Sequence, residues 1–299
     1  MARTLEAQAP ARTDTAATAA TAERGGRFTP KRVMLYLLLI LIALFFVVPL
    51  LWMLSTSLKE ESAVFRDRGF IPANPTLENY ETILSAGGST PVVRWMFNSF
   101  AVSIIGTILT IILTSLSAYA FARIDFRFKG PLFSMLITTL LLPGVMFLVP
   151  QYLLVSQLGL LNTWPAFLLP GLAGVFGVFF MRQFFMSIPV ELEEAAYVDG
   201  AGRFRTFFSV ILPLAAPALA TLAVITFLAY WNDYLWPLIT CQGGGCTLQP
   251  GLSNLQGTYS TRFALLMAGS VLAAAPVLAL YVVAQKYIVQ SVASSGVKG

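Results

Sequence analysis

The chain has 299 residues, of which 57% are hydrophobic and 11% are charged, and its formal net charge is +5. Its mean hydropathy of +0.76 excludes an ordinary soluble domain and indicates a membrane protein. The chain contains no His, so it lacks the commonest general base and the imidazole metal ligand.

Six stretches are long and apolar enough to cross a bilayer, which takes roughly 20 mostly apolar residues. They are about 33–54, 95–122, 131–151, 165–186, 215–239 and 263–290. A backbone in lipid must satisfy its own hydrogen bonds, and no segment alternates with the period of a barrel strand. We therefore expect an all-α bundle of six transmembrane helices over residues 31–299. Residues 1–30 are rich in Ala and Thr without an apolar period, which predicts a disordered N-terminal tail.

The positions of Lys and Arg predict the orientation. With the N-terminus inside, 14 of the 19 basic residues fall in inside segments, and only five lie outside: Lys59, Arg66, Arg68, Arg94 and Arg262. Basic residues favour the cytoplasmic side. Both termini and the loop 187–213 are therefore predicted to be cytoplasmic, whereas the connection 55–94 is expected to be an exported loop. The basic charges are spread over the loops, which argues against a nucleic-acid partner.

The loop 187–213 has the pattern of two short helices separated by a glycine turn. Pro189 suits a first helical position, and carboxylates follow near the positive helix end at Glu191, Glu193 and Glu194. Asp199-Gly200 predicts the stop, because Gly200 can adopt a left-handed conformation after the last helical turn.

The second short helix is predicted to carry one apolar face, because apolar residues recur at i, i+3, i+4 and i+7. These residues are Phe204, Phe207, Phe208 and Ile211. The second short helix is predicted to end at Leu212-Pro213. Such a unit suits docking to a soluble partner. On pattern alone an ordinary amphipathic loop fits equally well.

The same residues carry a family resemblance. Glu194-Ala195-Ala196, then Gly200 and Leu212-Pro213, resemble the "EAA" signature of the membrane subunits of bacterial binding-protein-dependent ABC importers. Val210 departs from the pattern, because the family usually has Ile there. Further passages resemble the carbohydrate-uptake, maltose-type branch: Ser57-Leu-Lys59, Pro75-Thr-Leu-Glu-Asn-Tyr80, Asn98-Ser99, Ala118-Tyr-Ala-Phe-Ala-Arg123, Trp231-Asn-Asp-Tyr-Leu-Trp-Pro-Leu238 and Gly296-Val-Lys-Gly299.

The resemblance implies a type I ABC importer permease fold in the cytoplasmic (inner) membrane. Its implied partners are a second permease subunit, two ABC ATPase subunits, an extracytoplasmic solute-binding protein and the membrane lipid. The implied substrate is a mono- or oligosaccharide, with glycerol phosphate or another polar solute as the alternative. The implied ATPase-coupling residues are Glu191, Glu194, Ala195, Ala196, Asp199, Gly200, Ala201, Phe204, Leu212 and Pro213.

A polar and aromatic cluster lies towards the outer ends of two predicted spans. Its members are Asn98, Trp231, Asn232, Asp233 and Tyr234. Aromatic faces with amide and carboxylate groups suit a polyhydroxylated solute, which makes these residues candidates for the substrate path. An aromatic belt at the membrane interface is the competing interpretation.

Cys241 and Cys246 bracket a Gln-Gly-Gly-Gly run in the following outside loop. A local disulfide is possible in an oxidising exported compartment, and two free thiols are the alternative. Two thiols without His are too few for a structural zinc site, so no metal site is expected.

ATP-hydrolysing chemistry is missing from the sequence. A Walker A loop needs a Gly-Lys pair, and none occurs here. We therefore expect a transporter subunit that binds no cofactor itself, with ATP and Mg held by the partner ATPases. The competing functions are an ion-coupled secondary carrier, which usually needs ionisable sites near the bilayer midplane, and a membrane scaffold.

The topology is testable with reporter fusions. A reporter active only outside the membrane is expected to work when fused near Ala86 or Gly244, and to fail near Gly202 or after Gly299. Activity at Gly202 would invert the topology and remove the docking role of the loop.

Overall fold

Helices make up most of the described chain in this computed structural model. The structure describes residues 30–85, 91–241, 247–256 and 261–296, and side chains as far as residue 285. The α-helices are α1 Pro30–Ser57, α2 Glu78–Leu84, α3 Val92–Arg123, α4 Lys129–Thr138, α5 Leu148–Gln157, α6 Trp164–Leu168, α7 Val175–Ser187, α8 Glu191–Val198, α9 Arg203–Thr206, α10 Leu212–Leu214, α11 Ala216–Trp231, α12 Leu235–Thr240, α13 Leu248–Asn254 and α14 Phe263–Gly296. The all-α prediction is confirmed. Most of the tail predicted over residues 1–30 lies outside the described residues.

The described chain divides within α1 into two units, one ending at Pro49 and the other beginning at Leu50. Every residue of the first unit from Pro30 to Pro49 is exposed, and the most apolar window of α1 has a mean hydropathy of 3.0. A helix that is apolar on all sides suits contact with lipid.

Three helices can each cross a membrane by length and composition, namely α1, α3 and the part of α14 over Phe263–Gln285. Three further spans are possible if two bent helical pieces are counted together. They are Lys129–Leu141 with Gly144–Gln157 (98°), Trp164–Ala173 with Val175–Ser187 (45°) and Arg203–Leu214 with Ala216–Trp231 (77°). The maximum of six agrees with the sequence. The predicted fifth span of 215–239 is wrong in detail, because α11 ends at Trp231 and a separate short helix follows.

Small polar residues on α3 allow other helices to pack closely around it. Its buried polar positions are Ser99, Ser103, Thr107, Thr110, Thr114 and Ser115. Some hydroxyls make defined bonds: Thr114 Oγ1 donates to the carbonyl of Thr110 at 2.6 Å, and Ser99 Oγ accepts from the N–H of Leu248 at 2.7 Å. Small residues of this kind let helix backbones approach closely in membranes. Helix α3 therefore packs against α7 and α11 along much of its length.

The connection between α1 and α3 is more ordered than the predicted loop. It holds a 3₁₀ turn over Glu61–Ala63 and then α2. Lys59 is only 2% exposed, and its Nζ donates to the carbonyls of Asp67 at 2.6 Å and Gly69 at 2.8 Å. Asn79 on α2 also contacts this segment, because its Nδ2 donates a hydrogen bond to the carbonyl of Lys59 at 2.8 Å. Burying an ammonium group requires partners of this kind.

The Asp67 carboxylate completes that arrangement. It accepts hydrogen bonds from the N–H groups of Ala73 at 3.1 Å and Gly69 at 3.0 Å, and it lies 3.5 Å from Lys59 Nζ. The Ala73 and Gly69 bonds, helped by the Lys59 charge, hold the pKa of Asp67 below its ordinary value of 3.8. The ionised Asp67 carboxylate therefore stabilises the folded chain fully at a pH above its ordinary pKa of 3.8. The stabilisation is lost only as the pH falls through the lower pKa of the folded state.

Glu61 joins the same connection to α14. Its carboxylate accepts from the N–H of Phe263 at 2.7 Å and from that of Ala264 at 3.0 Å. The first N–H groups of a helix have no partner within it, so this carboxylate caps α14 from a distant part of the chain.

We predict that Glu61→Ala loosens the first turn of α14 by about 1 kcal/mol, the usual cost of losing a helix cap. Hydrogen exchange at the amides of Phe263 and Ala264 measures the effect. Glu60→Ala is the matched control, because it removes the adjacent exposed carboxylate, and equal exchange in the two variants would contradict the capping role.

Candidate functional site

Helix α8 begins at Glu191, two residues after Pro189. The carbonyl of Val190 accepts from the N–H of Glu193 at 2.9 Å and from that of Glu194 at 3.1 Å, which sets the first turn. The prediction that Pro189 occupies the first helical position is therefore wrong. Ile188 is extended, with ψ 130°, as the residue before a proline tends to be, so the chain straightens before the helix starts.

A glycine turn ends α8 as predicted. Gly200 has φ +80°, and its N–H donates to the carbonyl of Tyr197 at 3.0 Å, while the N–H of Ala201 donates to that of Ala196 at 2.9 Å. These two bonds form a Schellman motif, in which a left-handed residue satisfies the last carbonyls of a helix. The chain then turns into α9.

The second helix does not present one apolar face. Phe207 and Ile211 are buried, at 2% and 0% exposure, whereas Phe204 and Phe208 are 77% and 55% exposed. The helix widens to the π form over Phe207–Ile211, and Pro213 lacks the N–H that would continue the α ladder. The predicted stripe is therefore split between the core and an outer surface.

We call residues 187–214 the α8 unit. Its surface combines apolar and charged side chains. The exposed apolar members are Val190, Leu192, Tyr197, Val198, Phe204, Phe208 and Leu214. Of the predicted coupling residues, Glu191, Glu194, Ala195, Asp199, Gly200, Phe204 and Pro213 are exposed, and Ala196, Ala201 and Leu212 are half-buried. An exposed patch of this composition is typical of a protein interaction site.

Glu193 is a functional candidate that the sequence analysis missed. Its side chain is buried, and it lies 2.6 Å from Arg123 Nε at the end of α3. Tyr119 donates its hydroxyl to the other carboxylate oxygen at 3.0 Å. Among three acidic residues in one turn, only a helical-wheel comparison with the apolar positions of α8 could have singled out this one.

A cavity of about 380 Å³ lies between α3, α7 and α11. Its wall is mostly apolar, with polar groups from Thr110, Thr226, Tyr230 and Asp233. Pockets of this volume, with a few polar groups, are typical of small-molecule sites.

Two glycines hold Tyr230 at the cavity. A Cβ built at Gly106 would lie 2.6 Å from the Tyr230 ring, and one at Gly171 would lie 2.5 Å from its hydroxyl. The hydroxyl lies 3.3 Å from the carbonyl of Leu168, to which it donates, and 3.4 Å from Thr110 Oγ1. Larger residues at the two glycine positions would displace the ring.

The predicted substrate-path residues are not brought together. Asp233 lines the cavity just described, Asn232 lines a separate one of about 410 Å³, and Tyr234 is exposed. Trp231 is 1% exposed, and its Nε1 donates to the carbonyl of Ala273 at 3.2 Å, so its ring packs in the core. Asn98 is half-buried near the start of α3.

Cys241 is buried and disulfide-bonded. Cys246 lies outside the described residues. The Cys241–Cys246 pairing therefore stays a prediction.

Residues 106–294 match the family described as "Binding-protein-dependent transport system inner membrane component". The chain belongs to this family. Its relatives are permease proteins of transport systems, so it is a transport subunit rather than an enzyme.

Several curated family members are similar over most of their length. The arabinooligosaccharides transport system permease protein of Halalkalibacterium halodurans is 33% identical over 262 residues, which cover 86% of this chain and 93% of that protein. The lactose transport system permease protein of Rhizobium radiobacter is 32% identical over 261 residues, covering 87% and 94%. These similarities agree with the sequence-based resemblance.

A solved structure supports the permease fold. The crystal structure of a bacterial ABC transporter that imports the acidic polysaccharide alginate aligns with a TM-score of 0.69 at 24% identity, covering 85% of this chain and 95% of that one. A second structure, of an alginate transporter in complex with a periplasmic protein bound to an alginate pentasaccharide, aligns with a TM-score of 0.60 at 17% identity, covering 88% and 96%.

The glycine turn yields a prediction with a matched control. Gly200→Ala forces a side chain into the left-handed region, at a cost of about 1 kcal/mol, although open space surrounds the position. The amides of residues 200 and 201 are then expected to exchange about fivefold faster. Gly202 also has open space around it but a φ of −78°, so Gly202→Ala should have no such effect. Equal responses would contradict the conformational explanation.

Proposed function

We propose that this chain is the permease subunit of an ATP-driven importer that moves a neutral mono- or oligosaccharide across the cytoplasmic membrane. The α8 unit is its docking surface for separate ATPase subunits. The observation that carries the proposal is the construction of that unit: it is anchored in the bundle by Glu193 and Phe207, yet it exposes Glu194 and Phe204.

ATP is handled by the partner subunits in this proposal. Two ATPases would dock on the α8 units of this chain and of a second permease chain, and would hold ATP and Mg. Their closure on ATP would move α8, and the spans would follow by alternating access between inward-facing and outward-facing states. The exposed apolar side chains of the unit provide the contact area, and Glu194 provides a charge for a basic residue of the ATPase.

In this proposal both termini and the α8 unit lie in the cytoplasm. The charge asymmetry of the loops supports this arrangement. A solute-binding protein would deliver the sugar from the opposite side. The second alginate transporter structure contains a periplasmic protein, which supports such a partner.

The cavity favours a neutral, hydroxylated solute. Within the described part of the chain, its wall includes the carboxyl group of Asp233 and no Lys or Arg. Hydroxyl groups of a sugar can bond to Thr110, Tyr230 and Asp233, whereas a phosphate would meet a carboxylate without a compensating cation. Glycerol phosphate is therefore the less favoured alternative. Two relatives are named for the transport of arabinooligosaccharides and of lactose, which supports a sugar as the solute.

Reconstitution tests the proposal. The complete complex is reconstituted in liposomes with the solute-binding protein outside and the ATPases facing the lumen. These liposomes should take up labelled neutral oligosaccharide only when ATP is supplied to the ATPases. Glu194→Lys should reduce uptake by roughly tenfold or more and release the ATPases on purification, because it reverses a charge on the docking surface. Uptake driven by an ion gradient without ATPases would favour a secondary carrier, and preferential uptake of glycerol phosphate would overturn the sugar assignment.

Val210→Ile is the matched control for Glu194→Lys. Val210 is a partly buried hydrophobic residue packed against the core beneath the unit, and Ile keeps its apolar, β-branched character. Uptake and co-purification of the ATPases should be unchanged. A loss equal to that of Glu194→Lys would indicate general sensitivity of the unit rather than docking.

A further inference from the structure

Two adjacent carboxylates on α8 have opposite surroundings. Glu194 is exposed, whereas the side chain of Glu193 is 4% exposed. Successive residues of a helix point about 100° apart, so the fold directs one carboxylate outward and the next into the bundle. The exposed one belongs to the proposed docking surface, but the buried one is left without a role there.

The buried carboxylate meets the end of α3. Arg123 is the last residue of that helix, and its Nε lies 2.6 Å from Glu193 Oε1. Tyr119, one turn earlier on the same helix, donates to Glu193 Oε2 at 3.0 Å. Both partners therefore come from one span.

Arg123 also reaches a third element. Its guanidinium Nη2 donates to the carbonyl of Ile188, the residue that follows α7. A second arginine strengthens the same region: Arg182 on α7 donates its Nε to the carbonyl of Phe121 at 3.1 Å. The ends of α3 and α7 are thus bonded to each other, and Glu193 attaches α8 directly to α3 and, through Arg123, to the end of α7.

The surroundings of these groups are apolar and closely packed. The Tyr119 ring lies 4.8 Å from that of Phe207 and 6.2 Å from that of Phe185, centroid to centroid. Ionised groups in such surroundings need each other, because a buried charge without its partner is strongly unfavourable. The pair resists separation more than an exposed ion pair would.

We propose that Glu193, Arg123 and Tyr119 form a positioning joint that fixes α8 rigidly to α3. Force applied to the exposed face of α8 then moves α3, and with it the helices around the cavity, instead of bending the loop. This inference rests on the proposed function for the origin of the force, and it assigns the transmission to side chains that lie beneath the exposed face of α8.

The test uses the reconstituted complex and measures solute taken up per ATP hydrolysed. Glu193→Gln keeps the size of the side chain but removes its charge. It is expected to leave the complex assembled and hydrolysing ATP, while uptake per ATP falls by roughly tenfold. Tyr119→Phe, which removes a single hydroxyl, should give a smaller loss in the same direction.

A double variant separates the joint from a general weakness. If Glu193 acts through Arg123, the loss in Glu193→Gln combined with Arg123→Gln should be no larger than in Glu193→Gln alone, because interacting residues are not additive. Asp125→Asn is the control, since Asp125 is fully exposed and pairs with Lys129 at 3.4 Å near the same end of α3. Additive losses, unchanged uptake per ATP in Glu193→Gln, or an equal loss in the control would overturn the joint.

A distance measurement tests, without any solute, whether α8 is fixed rigidly to α3. Spin labels at Gly202→Cys, an exposed position just past α8 with open space around it, and at Phe126→Cys beyond α3 should show one narrow distance in the complex, unchanged when a non-hydrolysable ATP analogue is added. Glu193→Gln should broaden it. Equal distributions with and without that change would overturn the joint. The joint and the sugar function can also be separated. If Glu193→Gln broadens the narrow distance but the complex takes up no sugar, the joint is supported and the proposed sugar function is wrong.

Discussion

The close approach of helices to α3 is the constraint on which the rest of the molecule depends. No hydrophobic driving force acts between helices in lipid, so membrane helices hold together through van der Waals contacts and interhelical hydrogen bonds. The small buried Ser and Thr residues of α3 allow close contact, and Ser99 makes an interhelical hydrogen bond to Leu248. Gly106 lets Tyr230 lie directly against this helix. Three features follow from that arrangement, because each of them contacts α3. They are the cavity, the packing of α7 and α11, and the attachment of α8.

The helix breaks then divide the bundle into parts with different tasks. Pro213 and the π turn before it end one piece, and a 77° bend follows before α11. This bend turns the α8 unit away from the direction of the spans, so that its outer surface is free of the bundle while Phe207 and Ile211 remain in the core. A transporter needs both properties in one segment: attachment to the moving helices, and a surface that a second protein can reach.

The sequence predicted the elements better than their surroundings. Hydropathy located the apolar stretches, and Gly200 marked the end of α8, because both signals depend on local composition and backbone conformation. It failed where long-range contacts decide. The phenylalanine stripe was split by a π turn, Trp231 proved to be a core residue, and the expected loop before α3 contains a buried Lys59. The local pattern did not pair Glu193 with Arg123, because the two residues lie seventy positions apart in the chain.

The alternation of buried Glu193 and exposed Glu194 also limits how this segment can vary in length. Inserting or deleting one residue between Ile188 and Glu193 would rotate α8 by about 100°. A different side chain would then face Arg123, and the docking surface would turn by the same angle. The length of the short link from α7 to α8 therefore determines which side chain of α8 faces Arg123. Changes of length in this subunit should be tolerated instead in segments that carry no such phase relation.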